Sequence, residues 1–327
     1  AGTITGNIIG LIKASIDADY NTAAGNVEDG IEVNSTAITS LTVGAYSGTV
    51  SALRNIISSN GGLGLNVADT SASATLTVQN NYIGTDWAGS ADRGNTLDGL
   101  NIADGSTINI GGTSDNQGNV ISGNTSDGLE HTGTTTSTIN IYKNLIGLNA
   151  AGTAALANDG VGVKLGNNSA TVNVGDAAST GRNWISGNGS YGIRVTGGNV
   201  NVKDNYVGLA TDGTTSIPNG TNELYAESVS SSISALTVNS SNRFNNRTHL
   251  AVYMKDIIPS NESTFDTDNS WATLLAGIGA TYGYWQRYVG ATLTAYGPQA
   301  CYDGLDNDSD GNADYPGDIG CTSRQDS

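Results

Sequence analysis

The residues best equipped for chemistry lie at the C-terminus. Between Cys301 and Cys321 the chain reads Cys-Tyr-Asp-Gly-Leu-Asp-Asn-Asp-Ser-Asp-Gly-Asn-Ala-Asp-Tyr-Pro-Gly-Asp-Ile-Gly-Cys. Asp306, Asp308 and Asp310 stand at alternate positions and Gly311 follows them. That pattern opens a calcium loop, with carboxylates converging on the ion and glycine permitting the sharp bend. Asn312 would add its backbone carbonyl, Asp314 would bind directly or through water, and Asp318 would close the shell. Gly317 stands at the twelfth position where an EF-hand has glutamate, and no amphipathic helix flanks the loop. We expect structural Ca2+ here, because the loop has too few apolar residues to fold otherwise. Cys301 and Cys321 are the chain's 2 cysteines; bracketing the loop, they read as one local disulfide formed in an oxidising compartment.

Elsewhere the chemistry is thinner. Asp29, Asp98, Asp127 and Asp159 each precede a glycine. The plain reading is a structural Asp-Gly turn. Stacked on successive turns of a repeat, Asp98, Asp127 and Asp159 would repel unless a cation sat between them. A glycosidase needs paired carboxylates on one face, and a lyase needs an Arg or Lys base. Lys143, Lys164, Arg182, Arg194 and Lys203 are scattered at positions expected to face outward. The two histidines are His131 and His249; His131 replaces an aliphatic strand residue (Val67 and Val195 in sister repeats) and reads as a wall residue rather than a base. Nucleophile motifs, phosphate-binding glycine loops and zinc spacings are absent from the sequence. We therefore expect a non-enzymatic protein, with a polysaccharide lyase or hydrolase as the rival. Tyr82, Trp87, Trp184 and Tyr206 could stack on sugars, or simply decorate an outer wall.

The elements carrying these residues are repeats. One motif appears at Asn55–Val67 (NIISSNGGLGLNV), Asn119–His131 (NVISGNTSDGLEH) and Asn183–Val195 (NWISGNGSYGIRV), with a degraded copy at Asn242–Met254; the starts lie 64, 64 and 59 residues apart. A second motif, Asn-x-aliphatic-Gly, begins at Asn7, Asn81, Asn144 and Asn205 and closes with Asp-Gly-aliphatic-x-aliphatic in three copies. Two motifs alternating in one period give coils of about 32 residues. Leu76/Val78, Ile108/Ile110, Ile139/Ile141, Val172/Val174 and Val200/Val202 alternate with polar residues, as strands with one buried face do. With 45 Gly, 2 Phe and 1 Met, the chain suits a thin core repeated many times rather than a thick one. Blades of a β-propeller and leucine-rich repeats have other periods and signatures. The expected fold is all-β: a right-handed parallel β-helix of about eight coils over 1–258, with equivalent asparagines such as Asn119, Asn144 and Asn183 stacked in ladders. At ~4.8 Å per coil the rod would be about 40 Å long.

The phrases IGGTSDNQGNVISGN, ending at Asn124, and NYIGTDWAG, from Asn81, resemble the repeats of bacterial right-handed β-helix cell-surface proteins. That resemblance spans about 1–255 and implies secretion or surface display, not a reaction. Residues 301–321 resemble the thrombospondin type 3 calcium repeat, a helix-free acidic loop held by metal and a disulfide. Residues 301–327 are thus expected to form a small calcium-binding loop.

A formal charge of −17 excludes a basic nucleic-acid surface and disfavours anionic membranes. No segment has the ~18 consecutive apolar residues of a membrane span. The first residue, Ala1, is consistent with a removed export leader or an artificial start. Between them, residues 259–300 hold an apolar, aromatic segment with Trp271, Tyr282, Tyr284, Trp285 and Tyr288, expected either to cap the last coil or to meet another chain. Because solenoid ends expose strand edges, we also expect head-to-tail self-association, with glycan contact as a further expectation.

Overall fold

In the computed structural model the chain forms a parallel β-helix. The structure describes residues 1–13, 22–46, 53–71, 73–103, 105–133, 137–166, 170–228, 233–239, 241–245, 250–260, 269–271, 285–289 and 292–297. Each coil contributes one short strand to each of three sheets, which contain eight, nine and ten strands. The fourth coil, for example, supplies Thr107–Gly111 to the first sheet, Val120–Ile121 to the second and Leu129–His131 to the third. Its neighbours pair in register and in parallel: Ile108 lies between Leu76 and Ile139, and Leu129 between Leu100 and Val163.

The alternating sequence explains the burial. In Thr-Ile-Asn-Ile and its counterparts, every second side chain points inward and stacks on its equivalent above and below. The second sheet adds the column Ile57, Ile83, Ile121, Ile146, Ile185, Val207 and Phe244, and all these columns join in one continuous core. Each coil alone would bury almost nothing, so stability is cooperative between neighbours.

Two corners of the coil are held by buried asparagine side chains. At the corner before the second sheet, Asn7, Asn55, Asn81, Asn119, Asn144, Asn183, Asn205, Asn242 and Asn269 form an unbroken ladder, each Nδ2 donating to the next Oδ1 at 2.9–3.1 Å. Asn144 shows how fully each is used. Its Nδ2 donates to Asn183 Oδ1 and to the carbonyls of Ile110 and Tyr142, and its Oδ1 accepts from Asn119 Nδ2 and N. The sequence pointed to this ladder.

The corner after the second sheet carries another, through Asn60, Asn95, Asn124, Asn158, Asn188 and Asn219. Its asparagines alternate between the Ser-x-Asn end of the first motif and the loop of the second. Their amides lie where side chains of the following strand would start. A Cβ on Gly30, Gly64, Gly99, Gly128, Gly162 or Gly192 would fall 2.7–2.8 Å from the adjacent Nδ2. Glycine before these six third-sheet strands is therefore a requirement of space.

In the seventh coil that position is Glu223. It is fully buried and accepts from the backbone N and Nδ2 of Asn219. Its carboxylate thus stands where the next asparagine would, and ends the ladder.

The 64-residue period comes from alternating loops. After the second sheet, the third, fifth and seventh coils carry hairpin flaps closed by the antiparallel bridges Thr85–Asp92, Leu148–Ala155 and Leu209–Ser216. The intervening coils turn tightly. Flaps two coils apart touch, with Ala150 N donating to Gly89 O at 2.8 Å and Thr211 N to Gly152 O at 2.9 Å. The serine of each tight coil supports the next flap: Ser58, Ser122 and Ser186 donate to the carbonyls of Thr85, Leu148 and Leu209 at 2.7–2.8 Å.

The stack continues past residue 258. Asn269–Trp271 pairs in parallel on Asn242–Phe244, and Trp285–Val289 on Val252–Lys255. Thr292–Gly297 then folds back antiparallel on Trp285–Val289.

Two substitutions separate ladder from surface. Asn144→Ala removes a buried amide whose partners cannot reach water, and should lower stability by about 3–5 kcal/mol at ~1 kcal/mol per lost bond plus the stranded groups. Asn34→Ala, at an exposed outward position, should cost under ~1 kcal/mol. Urea unfolding of both variants checks the contrast.

Candidate functional site

The calcium-loop residues Asp306, Asp308, Asp310, Asn312, Asp314 and Asp318, with Cys301 and Cys321, lie outside the described residues, as do Tyr282 and Tyr284. Trp271 belongs to the last strand of the second sheet. Trp285 is 4% exposed and joins the core at its C-terminal end, inward in register with Val252. Tyr288 stacks on Tyr253.

Among the described residues, the one group of acids placed as metal ligands would be is Asp98, Asp127 and Glu130, with carboxylate oxygens within 4.8 Å of one another. Asp98 and Asp127 are the Asp-Gly acids of adjacent coils. The expected third member, Asp159, is instead exposed and outside the cluster; Glu130, on the neighbouring strand, takes that part. Lys164 is also more committed than its outward position suggested, with Nζ 2.9 Å from both Asp127 Oδ2 and Glu130 Oε1.

Hydrogen bonding shows what the aspartates do. Asp29 Oδ1 accepts from Leu63 N at 2.7 Å, Asp98 Oδ1 from Asp127 N at 2.8 Å, and Asp127 Oδ1 from Val161 N at 2.7 Å. Each carboxylate ties its turn to the next coil's backbone, as the structural reading of Asp-Gly requires. Burial raises the Asp98 carboxyl above the ordinary range, with the charges of Asp127 and Glu130 acting in the same direction against hydrogen bonds that lower it. Burial also works against the Lys164 ammonium, but its hydrogen bonds to Glu130 and Asp127 outweigh that and raise it. Chemically, the cluster is a set of close carboxylates with one internal counter-ion.

His131 is 1% exposed and points into the core between Ile102 and Leu165. Burial lowers its pKa to about 4, so the imidazole is neutral at pH 7.

The aromatics expected on an exposed wall are more covered than that. Tyr82, Trp184 and Tyr206 do point outward from the second sheet, but they are half-buried beside the flaps and the loop arginines. Arg54 lies 3.8 Å over the Tyr82 ring and Arg182 4.1 Å over Tyr206, while Trp184 meets Tyr206 edge-on. Trp87, on a flap, remains exposed.

A different aromatic file went unread in the sequence. Tyr191, Tyr225, Tyr253 and Tyr288 climb the outside of the third sheet with ring centroids 4.8–5.2 Å apart. Consecutive third-sheet strands bring Tyr225 and Tyr253 together, a coincidence of register visible only once coil lengths are known. These rings cover one another's faces and leave edges outward, so they are poor platforms for a stacked sugar.

No protein-family model, curated protein or solved structure matches this chain. Among the described residues, no helix is long and apolar enough to cross a membrane.

Two pH-dependent outcomes follow. His131 has a folded pKa below its unfolded value of about 6.5, so its neutral burial favours the fold at neutral pH and that contribution is lost as pH falls from ~6.5 towards 4. His131→Val removes the titration. The stability difference between variant and parent should shift in the variant's favour by about 3 kcal/mol from pH 7 to pH 4, as followed by urea unfolding. Lys164→Ala should cost about 1–2 kcal/mol at pH 7, and because folding raises the Lys164 ammonium above its ordinary range, that loss should shrink only in strongly alkaline solution as the ammonium gives up its proton.

Proposed function

We propose that this is an extracellular structural protein: a rigid β-helical filament subunit or surface stalk, with calcium ordering the acidic loop between Cys301 and Cys321. The observation that carries the proposal is axial continuity. One asparagine ladder runs without a break from Asn7 to Asn269, so the chain's buried polar bonding is directed along the rod. Gly2–Ile4, Ile8–Ile9 and Ile31–Asn34 stand at the ends of their sheets and pair on one side only among the described residues. Such edges accept further strands. A second copy meeting them head to tail would continue all three sheets, a heterologous contact that propagates.

The acids favour this reading over a polysaccharide lyase or hydrolase, since Asp98 and Asp127 are committed to backbone N–H groups and Lys164 bridges Asp127 to Glu130. The likeness of the repeats to bacterial surface proteins supports display outside the cell. The thrombospondin-like spacing of the loop supports calcium.

Electron microscopy of the purified chain in millimolar calcium, and again in chelator, tests the proposal. Calcium-dependent filaments with an axial repeat near the length of one rod are expected. Isolated rods under both conditions would contradict head-to-tail assembly, and compact particles would contradict the stalk as well.

A further inference from the structure

Arg54, Lys143 and Arg182 each immediately precede an asparagine of the first ladder, and so share one corner of the rod. They are three of only 13 basic residues in a chain of net charge −17. Arg182 is neutralised by Asp204, 2.5 Å away and buried. Arg54 and Lys143 have looser arrangements. Arg54 lies over Tyr82, and its Nη2 reaches Asn80 Oδ1 at 3.5 Å. Lys143 pairs at 2.6 Å with Asp115, whose side chain is 89% exposed, and its Nζ also donates to Thr113 O at 3.4 Å.

These two cations line one groove of about 230 Å³, together with Tyr82, Leu145, Trp184 and Thr211. One wall is the corner bearing the cations, the other the stacked flaps of the fifth and seventh coils. The lining is drawn from coils between the second (Arg54) and the seventh (Thr211), so the groove runs along the rod axis. Two buried N–H groups on it, Arg54 Nε and Trp184 Nε1, have no acceptor among the described residues. The groove therefore combines positive charge with an apolar floor of Leu145 and the aromatic rings.

We infer that this groove binds a linear acidic polysaccharide lying along the rod, its carboxylates paired with Arg54 and Lys143 and its sugar rings against Trp184 and Leu145. A sugar acid presents negative charge and apolar C–H faces together, matching both features. A nucleic acid fits less well, because the two cations lining the groove offer its phosphates no continuous basic face. The inference goes beyond the structural reading and leaves assembly unaffected.

Isothermal titration with a short oligogalacturonate, its fully methyl-esterified neutral form and a poly-glutamate of similar length tests it. Saturable binding of the oligogalacturonate, at least tenfold tighter than either control, is expected. Arg54→Gln and Lys143→Asn should each weaken it at least tenfold; asparagine is chosen because Lys143 has φ +63°, which asparagine tolerates. Lys255→Gln, a matched charge loss on the third sheet, should leave it unchanged. Thermal melts confirm that each variant is folded, and Lys143→Asn serves alone should Arg54→Gln not fold. No binding of oligogalacturonate, equal binding of the neutral form, preference for poly-glutamate, or affinity indifferent to the groove substitutions would each overturn the inference.

Discussion

Burying an amide without partners costs about 1–3 kcal/mol, and fourteen ladder asparagines are buried at two corners of this rod. That is tolerable because each amide has complementary donors and acceptors and finds its own copy one coil away. The constraint spreads outward. Ladder spacing must equal strand spacing, so strands run parallel and in register. The amides need room, so the residue before each third-sheet strand is glycine wherever an asparagine lies beside it. Where the second ladder ends, Glu223 replaces the glycine and caps the file with its own carboxylate.

Much of this was legible in the residues. The spacing of Asn55, Asn119 and Asn183 gave the period, and the alternation in Thr107–Ile110 or Thr171–Val174 gave strands with one buried face. The Asp-Gly turns also did what short acidic turns do. Other features depend on coil lengths that no local pattern fixes. Asn60 and Asn95 occupy one ladder although their surrounding motifs differ, and Tyr225 meets Tyr253 because two unrelated loops bring their strands together. Asp159 was misplaced for a similar reason. Its motif matches that of Asp98, but the clustering oxygen comes from Glu130 on an adjacent strand. The flaps were visible only as variable loops, and their contact across two coils is what half-buries Tyr82, Trp184 and Tyr206.

The functional account follows from the same economy. Satisfied polar columns and a thin aliphatic core make a stiff, uniform rod, and alternating flaps create a groove on one side without disturbing the stack. In such a rod the coils set length and rigidity, while outward residues such as Arg54 and Lys143 line the groove without entering the core. His131 shows the tolerance of a single core position, and the Lys164 bridge shows how adjacent acids are accommodated on parallel coils.

The central claim is that the asparagine side chains, not only the backbone ladders, hold the coils together. Side-chain amide exchange measured by NMR after transfer to deuterated water addresses it most directly. The account predicts that the Nδ2 protons of Asn119, Asn144, Asn183 and Asn124 persist for hours, opening with the same free energy as the backbone amides of the core strands, while those of exposed Asn34 vanish at once. Rapid exchange of the ladder amides beneath a protected backbone would contradict it.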